Sequence, residues 1–188
     1  MAICVLMGGL VSMAHAGDVP VLPVAEKKSA PHAIIKTAFG EMEVVLFPKL
    51  APKHVASFMK LATSGFYNGT IFHRVIPGFM IQGGDPNTKD PTKQDQYGMG
   101  GPGYTLPAEF NKIQHERGIL SAARTADPNS AGSQFFIMVD QAPHLDGQYT
   151  VFGEVMRGMS VADKIVAQPR NAQDRPLQRI EITIEIVE

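Results

Sequence analysis

The chain has 188 residues, 44% hydrophobic and 19% charged, and seventeen Lys and Arg against eighteen Asp and Glu leave a formal net charge of −1. That balance is typical of one globular domain; it excludes an acidic or basic tail and gives no bulk electrostatic case for a nucleic-acid partner. The single cysteine, Cys4, excludes an intrachain disulfide and a cysteine-based zinc site, and eighteen Gly with fourteen Pro point to a turn-rich β protein.

Residues 1–16 read MAICVLMGGLVSMAHA, an apolar run at 3–13 followed by Ala14-His15-Ala16. The run is too short to span a bilayer, and its ending fits a small-x-small cleavage site, so 1–16 is expected to be a signal peptide. No Lys or Arg precedes the run, and the alternative is an N-terminal arm. Cleavage would remove Cys4 and leave the charge unchanged, with no membrane association in the mature form. Residues 17–31 carry Pro20, Pro23 and Pro31 with little periodicity and read as a flexible lead-in to a domain over 32–188.

Two alternating runs, 33–37 and 41–47, flank Phe39-Gly40 as a hairpin. Pro52 opens a helical stretch in which Val55, Phe58, Met59 and Ala62 make one apolar face, and Gly65 is placed to end it. Strands are expected at 71–75 and 79–82 around Pro77-Gly78, then a long polar loop at 88–103 that ends in four glycines among six residues, Gly98 to Gly103. Further strands are expected at 118–123, 134–139 and 150–155, and a short helix at 160–167 with Val161, Ile165 and Val166 on one side. The last strand is the clearest: Ile180, Ile182, Ile184 and Ile186 alternate with Glu181, Thr183, Glu185 and Val187. Short strands with two helices favour a small β-barrel, which removes sheet edges.

Most chemistry-bearing patterns are missing. None of the six histidines has the spacing of a zinc helix, so no metal site is expected; Gly132-Ser133-Gln134 is not a nucleophile elbow; and the glycines at 98–103 lack the Lys-Ser/Thr of a phosphate loop. What stands out is the segment 72–85, FHRVIPGFMIQGGD. Alternation places Arg74 on the opposite face from His73 and Val75, so a permanent cation sits among Phe79, Met80 and Ile81. Arg74 is then either a surface arginine beside core aromatics or, with Gln82, the polar part of an apolar cleft.

This segment resembles the signature of the cyclophilin-type peptidyl-prolyl cis-trans isomerases. The resemblance continues through Gly118-Ile119-Leu120-Ser121-Ala122-Ala123, the run 129–137 (NSAGSQFFI), Leu145-Asp146-Gly147 and Val151-Phe152-Gly153, in one order across residues 33–188. It implies a mainly β fold, a closed eight-stranded antiparallel barrel capped by two α-helices, and an enzyme that accelerates rotation about X–Pro bonds without a cofactor. It makes Arg74 the catalytic residue, Phe79, Met80, Phe136 and Leu145 the proline-pocket walls, Gln82 a partner for the substrate backbone, and Ala123 a groove residue. Three positions depart from the commonest family pattern: Arg124 stands where Asn is usual, Tyr149 where His is usual, and His144 where many members have Trp. The chain has no Trp, so weak cyclosporin binding is expected. With the signal-like start, the likeness is to the bacterial periplasmic branch. The implied partners are unfolded or partly folded proline-containing polypeptides, met by a monomer. Two other readings use the same residues: a proline-binding chaperone or assembly module with little turnover, and a structural barrel, which has no need of a cation beside an apolar slot.

Overall fold

A computed structural model describes Lys27 and residues 29–187. The expected signal peptide and most of the lead-in lie outside the described residues. The end of the lead-in is docked: Lys27 Nζ lies 2.5 Å from a Glu154 carboxylate oxygen, and the Pro31 carbonyl accepts the Leu46 N–H at 2.9 Å.

Nine strands form one sheet. In chain order they are β1 (His32–Thr37), β2 (Gly40–Leu46), β3 (Thr70–Ile71), β4 (Arg74–Ile76), β5 (Met80–Gly83), β6 (Ile119–Ala122), β7 (Phe135–Met138), β8 (Val151–Arg157) and β9 (Glu181–Val187), and their order across the sheet is β3-β9-β1-β2-β8-β6-β7-β5-β4. The pairings are antiparallel. Two helices, α1 (Pro52–Thr63) and α2 (Met159–Val166), pack on it, α1 against β9 and α2 against β2, β4 and β5.

The closed eight-stranded barrel is corrected to a nine-stranded curled half-barrel. The run expected as one strand at 71–75 breaks at Phe72-His73. The Phe72 N–H donates to Ile180 O at 3.1 Å, whereas the His73 N–H donates to Gln82 O at 3.0 Å. Consecutive amides therefore serve opposite edges of the sheet. β3 extends the β9 edge, β4 extends the β5 edge, and the two edges are joined by the chain itself rather than by a ladder.

Local chemistry explains the elements. Pro52 sits in the first turn of α1, where its missing N–H costs nothing. No local side chain caps that helix; the carboxylate of Glu109 does so from across the chain, accepting the N–H groups of Lys53 at 3.1 Å and His54 at 3.0 Å and facing His54 Nδ1 at 2.7 Å. Burial opposes ionisation of Glu109, but these hydrogen bonds outweigh it and hold its carboxyl below the ordinary range. At the other end Gly65 has φ +71°, its N–H bonds Ala62 O, and the Phe66 N–H reaches back to Leu61 O, which is a Schellman stop.

The strands alternate between two apolar clusters. One holds Ile35, Val44, Val75, Ile81, Ile137, Ile182 and Ile184 together with Val55 and Phe58 of α1 and Val161 and Ile165 of α2. The other holds Val45, Met80, Phe136, Met138 and Leu145. Met59, expected on the buried face of α1, is only partly buried, and Leu61 takes a place in the core beside Phe58 and Ala62. Ile186 of β9 is likewise only partly buried, while Ile180, Ile182 and Ile184 are buried.

Candidate active site

The hairpin of β4 and β5 sets the site. Pro77 and Gly78 are its central turn residues; Gly78 has φ +71° and the Phe79 N–H returns to Ile76 O at 3.0 Å, the pattern of a type II turn. That turn pairs Arg74 with Gln82 and Ile76 with Met80. The next ladder pairs Gln82 with Phe136 and Met80 with Met138, and the one after pairs Phe136 with Ser121. Arg74, Gln82 and Phe136 thus stand in one cross-strand row on β4, β5 and β7.

A hollow of about 420 Å³ opens over this row. Its lining brings together every residue singled out from the sequence: Arg74, Phe79, Met80, Gln82, Ala123, Arg124, Phe136, His144, Leu145 and Tyr149. The apolar floor is continuous with the second core cluster, since Met80 (2% exposed), Phe136 (5%) and Leu145 (7%) are buried there. Phe79 stands half-buried at the rim, and the exposed His144 ring tilts over it with centroids 5.9 Å apart. Tyr149 meets Phe136 edge to face at 5.7 Å.

Arg74 is exposed and makes no hydrogen bond or ion pair with any described residue. Gln82 is tied down: its Nε2 donates to Gln134 Oε1 at 3.0 Å, and Gln134 Nε2 donates in turn to Gly98 O at 3.0 Å and Gly100 O at 2.8 Å. Arg124 is held by neutral groups. Its Nε and Nη2 donate to Gln148 O at 3.1 and 2.9 Å, its Nη1 donates to Thr125 O at 2.8 Å and Ala126 O at 3.3 Å, and its guanidinium lies 4.4 Å from the Tyr149 ring centroid.

Two further hollows adjoin the first. One, also of about 420 Å³, shares Gln82, Ala123 and Arg124 with it and runs under the glycine-rich end of the long loop, including Gly98, Gly100 and Gly101. The other, of about 580 Å³, shares Arg74 and Gln82 and continues past Tyr97 to Arg175. The three make one groove that passes over the row.

Residues 32–186 match the family model described as cyclophilin type peptidyl-prolyl cis-trans isomerase/CLD. The chain belongs to this family. It is a peptidyl-prolyl cis-trans isomerase. A protein of Brucella suis biovar 1 named "Probable peptidyl-prolyl cis-trans isomerase" is 52% identical over 136 residues, 70% of this chain and 69% of the relative. Peptidyl-prolyl cis-trans isomerase B of Bacillus subtilis is 48% identical over 125 residues, 65% of this chain and 81% of its own. Among solved structures, a Cryptosporidium parvum cyclophilin-type isomerase determined in the presence of the dipeptide Ala-Pro superposes with a TM-score of 0.75 at 35% identity, covering 84% of this chain and 99% of that one.

Sequence reasoning missed the supports of this cyclophilin's site. Asp85 is fully buried and anchors the long loop, accepting the Asn87 N–H at 2.8 Å and the Gly98 N–H. A Cβ on Gly100 would lie 2.1 Å from Asp85 Oδ1, so the loop needs glycine there to pass over the carboxylate. Gln134, in the run 129–137, braces that loop from 34 and 36 residues away, and its local sequence carries no signal of the role. Behind Phe136, the buried His115 faces Asp146 at 3.0 Å and Ser121 Oγ at 3.1 Å, and stacks on the Phe136 ring at 6.1 Å. Burial pushes its pKa down against the pull of Asp146. His73 is also buried, with Nδ1 unpartnered among the described residues; burial lowers its pKa to about 4 against the pull of Asp85, so it is neutral at neutral pH.

Proposed function

We propose that Arg74 drives the isomerisation by hydrogen-bonding to the prolyl nitrogen of the twisted amide while the central hollow holds the ring. The X–Pro bond rotates over a barrier of about 18–20 kcal/mol because the planar amide is conjugated. Twisting breaks that conjugation and returns a lone pair to nitrogen. A donor aimed at that atom binds the twisted form better than the planar one, and this difference is the catalysis. No covalent bond is broken, so a guanidinium that stays charged suffices as the reacting donor.

The observation that carries this reading is the row of Arg74, Gln82 and Phe136 beside a hollow floored by Met80, Phe136 and Leu145, with Arg74 making no hydrogen bond or ion pair among the described residues. The energetics require both parts. Raising a rate from about 10⁻² to about 10³ s⁻¹ takes about 7 kcal/mol. One charge-assisted hydrogen bond supplies about 1.5–3 kcal/mol. The remainder falls to the walls, which hold the ring in place and keep water from the Arg74 bond.

Arg74→Ala is expected to keep its fold, since the side chain is exposed and has no partner among the described residues, and to lose about 10- to 100-fold in kcat/KM on a short X–Pro peptide, the worth of that one bond. Proline-limited refolding at the wild-type rate in this variant refutes the mechanism. The clients in this reading are unfolded or partly folded polypeptides met as a monomer. Export to the periplasm rests on residues 1–16 alone, and mass analysis of the mature N-terminus tests it.

A further inference from the structure

The seven arginines divide by environment. Arg117, Arg157, Arg170 and Arg179 each hold a carboxylate, on Asp163 at 2.8 Å, Glu43 at 3.2 Å, Asp174 at 3.1 Å and Glu181 at 2.8 Å. Arg74, Arg124 and Arg175 hold none among the described residues, and these three are the ones that line the groove. Among the described residues no lysine lines it, and the one carboxylate that does is the exposed Asp95, in the hollow with Arg175. A chain with formal charge −1 therefore carries, along its groove, three guanidinium groups against a single acid.

Two of these cations are fixed by neutral partners. Arg124 spends its four hydrogen bonds on main-chain carbonyls and stacks on Tyr149. Arg175 donates to Gln94 Oε1 at 2.9 Å and Gln94 O at 2.6 Å and stacks on Tyr97 at 4.7 Å. Neutral acceptors orient a guanidinium without cancelling its charge, and a group already held in place loses little freedom when a counter-ion arrives. Each has five N–H donors, so both retain one or more for an incoming oxygen.

Their positions differ. Arg124 stands where the central hollow meets the glycine-loop hollow, and Arg175 stands in the hollow on the Arg74 side. An extended segment with its proline in the central hollow passes one cation on each side. We propose that the groove selects X–Pro segments bearing Asp or Glu beside the proline, with Arg124 reading one flank and Arg175 the other. This rests on the central hollow being the prolyl site.

The test is a peptide series with Gln on both flanks as reference and Glu placed on one flank at a time, assayed with wild type, Arg124→Gln, Arg175→Gln and Arg157→Gln. In wild type each Glu raises kcat/KM about two- to fivefold at low salt, and the gain shrinks toward unity at about 0.5 M NaCl, as for exposed charges. Arg124→Gln abolishes the gain on one flank, Arg175→Gln abolishes it on the other, and Arg157→Gln, outside the groove, preserves both. Glu peptides no better than Gln peptides in wild type, or a gain that survives both groove substitutions, overturn the proposal. If wild type fails to turn over the Gln reference, the reading of the prolyl site fails separately. The Glu-to-Gln ratio of Kd, from titration of labelled peptides, then decides the charge preference on its own.

Discussion

Arg124 and Tyr149, the positions where the sequence resemblance leads one to expect Asn and His, touch each other in this chain. The guanidinium lies 4.4 Å from the Tyr149 ring centroid, and its two bonds to Gln148 O pin the peptide just before that ring. Tyr149 in turn meets Phe136 edge-on at 5.7 Å, and both line the central hollow. An exposed cation–π contact is worth about 0.5–1 kcal/mol, and an aromatic pair about 0.5–1.5 kcal/mol. Releasing the ring should therefore cost about 1 kcal/mol in holding the substrate, or about fivefold in kcat/KM. The perturbation is Arg124→Ala, Tyr149→Leu and their combination, assayed on a neutral-flanked X–Pro peptide so that substrate charge plays no part. Each single variant is expected to lose about fivefold, mainly as a raised KM, because a displaced wall weakens binding of ring and transition state alike. The double variant should lose scarcely more than the worse single, since both changes break one contact. Arg124→Lys should resemble Arg124→Ala, because an ammonium lacks the planar fork that reaches several carbonyls. Losses that simply add in the double variant, within about 0.3 kcal/mol, would refute the coupling.

Two other outcomes are expected. His73 has a native pKa of about 4, below its unfolded value near 6.5, so the unfolded chain takes up the proton first. The stabilisation is complete above about pH 6.5 and disappears as pH falls toward 4, a loss of about 3 kcal/mol at 1.36 kcal/mol per pH unit. Urea unfolding at pH 7 and pH 4.5 measures it; His115, lowered in the same direction, adds to the slope. A His73→Gln variant with the same pH dependence as wild type would rule out His73 as the source. For cyclosporin, His144 stands over Phe79 at the position where the sequence resemblance leads one to expect an indole donor. If the missing indole weakens binding, His144→Trp is expected to tighten it at least about tenfold, 1.4 kcal/mol, in a competition assay; an unchanged Kd refutes that expectation.

Much of the fold was legible because its signals are local. Pro52 and Gly65 bracket a helix, Pro77-Gly78 marks the turn that sets the Arg74–Gln82 register, and the isoleucines of the last strand alternate toward the core. The candidate site residues were singled out through long motifs kept in one order; the structure gathers them around one hollow, and the register brings Arg74, Gln82 and Phe136 into a row. What stayed hidden depends on distance in the chain. The split of 71–75 into two strands shows only when consecutive amides are seen to serve different edges. Glu109 caps a helix 55 residues away, and Gln134 braces a loop 36 residues away, with nothing in either local sequence to announce it. The pairing of Arg124 with Tyr149 is of the same kind: each departure was visible alone, and their contact was not.

The two sides of the groove make unequal demands on the substrate, and the packing explains which half of an X–Pro bond would stay still. Met80, Phe136 and Leu145 are core side chains whose edges happen to reach the hollow, so any shift of the ring's seat disturbs the cluster that includes Val45, Phe47 and Met138. Close-packed interiors resist such shifts. The hollow beyond Ala123 is bordered in part by glycines at 98, 100 and 101 and otherwise by loop side chains such as the exposed Met99, which lie outside the close-packed core and can yield to a turning group. In the proposed mechanism the proline is therefore the stator and the preceding acyl group the rotor. In that proposal Arg74, without a hydrogen-bond or ion-pair partner among the described residues, is able to follow the nitrogen as it pyramidalises. Tying Arg74 down with an internal carboxylate would stabilise the resting enzyme and remove the donor from the one atom whose basicity rises during the turn.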